Sequence, residues 1–208
     1  MLEMLGEAEV ADSLEAAPRQ SLEVDLLTRR SVSPRRLCSP GPTAVQLAFM
    51  VEAALRAPDH GRLQPWRLIE FPIAERDALA VLFAAEKLRR SPDANAVDVA
   101  RAKEHATGAP TLLGFVVCSQ PEAVATVHEQ WLSAGAALNN LLLAAHGMKF
   151  GAMVLSGDRC RDAALASALG VSSGECLAGF VSIGTVTKPS KALSKTVKAG
   201  TLQVWTGR

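Results

Sequence analysis

Tyrosine is absent from this 208-residue sequence, and only nine residues, six Phe and three Trp, are aromatic. A protein that stacks nucleic-acid bases needs aromatics interleaved with a basic patch, so that class is excluded. An excess of one charge is also lacking. The 22 Lys and Arg nearly balance the 21 Asp and Glu, giving +1 overall, and no global field steers the protein to polyanions or membranes. No run approaches the roughly eighteen uncharged apolar residues of a membrane span. The acidic N-terminus has neither the basic start nor the apolar core of a signal peptide. The four cysteines, Cys38, Cys118, Cys160 and Cys176, form no CxxC pair and no zinc spacing. Cys118 and Cys176 lie in apolar strand-like runs and are expected to be buried thiols. These absences together predict a soluble cytoplasmic protein in a reduced compartment.

Common catalytic motifs are missing as well. GxSxG, HExxH, the Walker phosphate loop and GxGxxG do not occur. His60, His105, His128 and His146 lack ligand-like spacing, so no metal site is expected.

What is present is apolar mass and arginine. Nearly half the residues are hydrophobic, enough for one sizeable core. Residues 1–20 are acidic and Ala- and Glu-rich, with five acids and no base in the first sixteen. They read as a loosely attached extension, and 21–208 as a single domain. By subtraction the remainder carries about six positive charges, a balance suited to a small anionic ligand.

Ser21 reads as the N-cap of a short helix bearing Leu22, Leu26 and Leu27 and ending near Arg30. Thr43 caps a second helix. Strands are expected at 66–71, 110–118, 150–157 and 176–186. Helices are expected at 73–90, 95–105, about 122–146 and 158–169, the last closed by Gly170. The terminal "LQVW" reads as a further strand. Helices outnumber strands without strict alternation, which predicts an α+β fold with a central sheet flanked by helices. "LSAGAALNNLLLAAHG" within 122–146 is almost uncharged and rich in Ala and Gly. A helix apolar on most faces must be covered on most faces, either by its own domain or by a second copy.

Two segments concentrate chemistry. "TRRSVSPRR" places Arg29 and Arg30 at a helix C-terminus. Cations there complement the helix dipole, or with Ser31 they fork onto phosphate oxygens. "RAPDHGRLQPWR" puts Arg56, His60, Gln64 and Trp66 in a helix-to-strand junction, where turning alone needs only Pro, Asp and Gly.

In order, "LLTRRSVSPRRL", "RAPDHGRLQPWR", "EQWLSAGAALNNLLLAAHGMKFGAMVLSG" and "GFVSIGTV" resemble the compact-subunit FMN-dependent nitroreductases, from about Leu22 to Thr185. The resemblance implies a four- or five-stranded, mostly antiparallel sheet in a domain-intertwined homodimer, with FMN at the subunit interface. It implies FMN contacts at Arg29, Arg30, Ser31, Arg56, His60, Val154, Leu155 and Ser156. It also implies an NAD(P)H-contacting run of Ala144, Ala145, His146, Gly147, Met148 and Lys149. The implied activity is hydride transfer from NAD(P)H through FMN to nitroaromatic, quinone or similar small-molecule acceptors, with no obligatory catalytic side chain. Close relatives carry Trp-Arg-Ser where this chain has Val154-Leu155-Ser156. An Arg able to pair with phosphate is thus replaced by Leu, with Arg159, Arg161, Lys188, Lys191 and Lys195 as candidate substitutes. Two alternatives stand beside the enzyme reading: a flavin carrier or sensor with little turnover, and a regulatory module without flavin.

Overall fold

The computed structural model describes residues 22–188 and 200–207. The acidic extension 1–20, the Ser21 cap, Lys191 and Lys195 lie outside the described residues. Among those described, no helix is long and apolar enough to cross a membrane, and no group of three or more His, Cys, Asp or Glu could hold a metal.

The described residues form six α-helices and five strands in the order α1 (Leu22–Thr28), β1 (Leu37–Cys38), α2 (Ala44–Leu55), β2 (Trp66–Glu70), α3 (Arg76–Arg90), α4 (Ala96–Thr107), β3 (Thr111–Cys118), α5 (Val127–Gly147), β4 (Phe150–Leu155), α6 (Ala163–Ala168) and β5 (Glu175–Val186). β5 organises the sheet. It pairs antiparallel with β3 along one edge and with β4 along the other, and β2 extends the sheet beyond β3. Leu37 and Cys38 of β1 pair with Val186 and Thr185, past the point where β3 stops at Ile183. Every ladder is antiparallel, which agrees with the expected α+β class.

Helices cover both faces. On one face α2 and α5 bury Leu47, Met50, Ala137 and Leu141 against Leu113, Phe115, Val181 and Ile183. Ala134, Ala137 and Ala145 let the α5 backbone come close, and Asn140 Nδ2 donates to Ala53 O at 3.1 Å, tying α5 to α2. On the other face Leu79, Phe83, Ala106 and Leu165 pack on Leu112, Val116 and Phe180.

Local signals fix the element ends. A capping box joins Thr43 to Gln46 at the start of α2. A second joins Thr126 to Glu129, so α5 begins at Val127 and not near 122. Buried Gln130 holds the preceding turn by donating to Gln120 O and Ala125 O and accepting from Gln120 N, each at 2.8 Å. Segment 158–169 is not one helix. Asp158–Arg161 is a 3-10 turn, and Asp162 then caps α6. Gly170 follows with φ +73°, as its C-capping role requires. Similarly, Ile73–Glu75 is a 3-10 turn ahead of α3.

Three further expectations need correction. β1 lies in a segment read as loop, because two residues are too few to show a period. "LQVW" forms no strand, and Trp205 is 86% exposed. Cys176 is exposed, since period-2 alternation at the mouth of β5 turns it outward while Leu177 points in.

Glu86 lies on the apolar face of α3 and is fully buried. Burial pushes its carboxyl up, but Arg90 Nε at 2.6 Å and Arg159 Nε at 3.1 Å more than offset this and hold it ionised. The Arg159 guanidinium also stacks on Phe83, 4.1 Å from the ring centroid. Removing one member of such a network strands the others. Glu86→Ala should therefore destabilise the fold by about 3–5 kcal/mol, read as a lower urea midpoint. A midpoint equal to that of the wild type would show the network to be dispensable.

Candidate functional site

The candidate residues gather at the two ends of α5. At its C-terminal end, α1 lies across His146. Thr28 Oγ1 is 3.1 Å from His146 Nε2, and Asp25 Oδ1 is 3.8 Å from the same nitrogen and 3.9 Å from Lys149 Nζ. The chain leaves α1 through Arg29, whose N–H donates to Asp25 O. It then runs beside the outer edge of β4, where Ser31 bridges Ala152 and Val32 N donates to Ala152 O at 3.0 Å. Arg29 and Arg30 are half-buried there, and Ser31 is exposed. Guanidinium groups and a hydroxyl are the donor types that bind phosphate, and these three are consecutive along this edge.

At the N-terminal end, His60 Nδ1 sits 3.1 Å from Glu129 Oε1. Arg56 is exposed beside Glu52 at 3.7 Å. The loop carrying His60 is tightly shaped. Gln64 N donates to Asp59 Oδ2 at 2.7 Å, and Gly61, Arg62 and Gln64 all have positive φ. Non-glycine residues in that region hold strain that persists only where the surroundings enforce it. Pro65 and Trp66 are buried, and Trp66 stacks on Phe115 at 5.9 Å. Trp66 thus anchors the loop and is no ligand.

Seventeen helical steps along α5 separate Glu129 from His146, about 25 Å at the helical rise. One chain therefore does not bring Arg29, Arg30 and Ser31 to His60.

The remaining candidates divide by face. Val154 packs with the α2/α5 side, whereas Leu155 is turned to the opposite cluster with Phe83 and Phe180. A side chain at 155 thus leaves β4 on the face away from α1 and α5. Arg159 is committed to Glu86 and Phe83, and Arg161 pairs with Asp158 at 3.5 Å. Ser156 is exposed, as is Lys188. Within 144–149, Ala145 is fully enclosed in the core and cannot touch a nucleotide. Ala144 and Met148 pack against the same cluster, which leaves Gly147 and Lys149 on the surface. Lys149 closes α5 with φ +68°.

Reasoning from sequence missed Asp25, Thr28 and Glu129. The Thr126–Glu129 spacing was the available signal for the last. Nothing along the chain marks Asp25 or Thr28 as neighbours of residue 146. Cys118 and Cys160 supply no ready thiolate, because burial above all pushes both thiols up to about 11.

Glu129 is held down to about 2 from an ordinary 4.5, first by the Thr126 N–H and hydroxyl and then by His60. A carboxyl lowered on folding stabilises the fold above its unfolded value and loses that contribution as pH falls through the folded one. Thermal stability should accordingly decline from about pH 4.5 toward pH 2, and Glu129→Gln should flatten that decline. Identical pH profiles for the two proteins would show that the cap carboxylate does not contribute.

A model of the nitroreductase family matches residues 26–185. A Haemophilus influenzae protein named "Putative NAD(P)H nitroreductase" is 36% identical over 162 residues, covering 77% of this chain and 86% of that protein. The nitroreductase-like family protein from Bacillus cereus superposes with a TM-score of 0.75 at 18% identity, over 92% of this chain and 99% of that one. A variant of NfnB, an FMN and NADPH-dependent nitroreductase derived from Sphigopyxis sp. strain HMH, gives a TM-score of 0.71 at 20% identity, over 90% and 100% of the two chains. These two structures share the fold. The family match spans well over half of the sequence, and with the Haemophilus relative it establishes that the chain belongs to the nitroreductase family.

Proposed function

We propose that this chain is an FMN-dependent oxidoreductase that works as a homodimer, with each flavin held between residues of both copies. The observation that carries this reading is the separation of Arg29–Ser31 from Arg56 and His60 by the length of α5. In a two-fold dimer with the α5 helices antiparallel, the His146 end of one copy lies beside the His60 end of the other. The two halves of the donor set then meet twice.

The surface of the single chain supports this arrangement. α5 presents an outward stripe of Val127, Trp131, Leu132 and Gly135, with Leu132 62% exposed. A Cβ placed on Gly135 would meet nothing within 4 Å, so another backbone can approach there. α1 turns Leu22, Leu26 and Leu27 outward, the last 83% exposed. An apolar surface of this extent suits a permanent partner.

FMN, when bound, supplies hydride and electron chemistry that no side chain here offers. The chain's residues bind and orient. Arg29 and Arg30 fork onto the phosphate, Ser31 adds a hydroxyl, and His60 from the second copy borders the ring. The donor set matches one phosphate and explains why no pyrophosphate fingerprint is needed. NAD(P)H and then an oxidised small molecule, a nitroaromatic or a quinone, use the same cleft in turn. Such alternation gives ping-pong kinetics.

A visible spectrum of the protein soaked in FMN tests the binding, and anaerobic bleaching by NADH or NADPH separates a reductase from a carrier. One FMN per chain is expected, at about twice the 21.9 kDa chain mass in solution. Arg29→Ala should weaken FMN binding about ten- to a hundredfold, the usual loss for a charge-assisted hydrogen bond. Random mixing of Arg29→Ala with His60→Ala subunits should restore roughly a quarter of the wild-type activity, because about half of the dimers are mixed and each of those regains one of its two sites. No recovery on mixing would place both residues in a site built by one copy.

A further inference from the structure

α1 is held to its own subunit in an unusual way. It has seven residues, too few to be stable alone, and none of them is buried. Its leucines face outward, and the face turned to this subunit is polar, carrying Asp25 and Thr28. The direction of the key contact follows from proton counting. A threonine hydroxyl has one proton, and Thr28 donates it to Val24 O at 2.6 Å. Toward His146 Nε2, 3.1 Å away, Thr28 Oγ1 can therefore only accept. The His146 ring must carry its proton on Nε2.

Asp25 completes the junction. Its Oδ1 is buried without a hydrogen bond, but the His146 and Lys149 nitrogens face it at 3.8 and 3.9 Å. Its Oδ2 sits against Gly147, 3.4 Å from where a Cβ would stand. The segment that follows, Arg29 to Ser31, is consequently fixed at two points. Downstream, Ser31 and Val32 dock on Ala152. Upstream, α1 is fixed through His146.

We infer that His146 is a positioning residue for the Arg29–Ser31 phosphate clamp, acting through Thr28 and Asp25, and makes no contact with the nicotinamide nucleotide. This inference rests on the flavin reading above. The His146 Nε2–H is spent on α1, and the neighbouring Ala145 is enclosed. The C-terminus of α5 thereby sets the angle at which α1 delivers both arginines.

The experiment compares wild type, His146→Ala, His146→Gln and Thr28→Val by FMN titration. It adds amide hydrogen exchange on the flavin-free proteins and steady-state kinetics at saturating FMN. His146→Ala should weaken FMN about three- to tenfold, the loss expected for one hydrogen bond. Exchange in 22–31 should rise while β3 stays protected, and the KM for NAD(P)H should not move. The glutamine amide can donate as Nε2–H does, so His146→Gln should recover most of the affinity. Thr28→Val removes the acceptor, and combined with His146→Ala it should add little. A raised KM for NAD(P)H with unchanged FMN affinity and unchanged exchange would overturn the inference in favour of nucleotide contact. Were wild type to bind no FMN, the flavin reading would fail, and unchanged exchange in 22–31 would independently overturn the positioning role. If His146→Ala fails to fold, Thr28→Val alone carries the same comparisons.

Discussion

Strand β5 is paired along both edges and covered on both faces, and the placement of every candidate residue descends from that double constraint. Because β3 and β4 both read their register from it, β4 has one permitted position. Gly151 tightens the fit: a Cβ there would stand 2.7 Å from Val186 and 2.8 Å from Leu37. Ala152 follows, and on its carbonyl the chain after α1 is hung. The path from a buried hydrophobic strand to the arginine segment is thus only three contacts long.

The second constraint is the length of α5. Its small buried residues let it lie close on the sheet, and its unburied stripe faces away from this chain. The capping box at one end and α1 at the other make one rigid helix the spacer between the two groups of candidate residues. A loop of equal reach could not hold that spacing, because its ends would wander.

Much of this was legible along the chain. Elements whose period and caps agreed, such as α2 behind Thr43 and β3 between Pro110 and Ser119, fall where their patterns indicate. The α+β class followed from the same patterns. What was not legible depended on contacts between distant segments. Nothing local reports that Glu86, on an apolar helix face, would be met by Arg159, 73 residues later. Period 2 puts Val154 and Leu155 on opposite sides of β4, but sequence does not show which cluster each one meets. The arginine segment and the His60 loop stood out by composition. Their separation by a helix could be seen only once α5 was placed.

The outward leucines of α1 have a further consequence for how the proposed site would form. A helix whose apolar side needs a second copy is only half-supported in an isolated chain, while its polar side holds it to His146. Subunit association, ordering of α1 and capture of the flavin would then draw on a common free energy, and each would strengthen the others. Dilution alone would act on such a protein as an inhibitor does, emptying the site with no competing ligand present. Added flavin would act in the opposite direction, as an adhesive between copies.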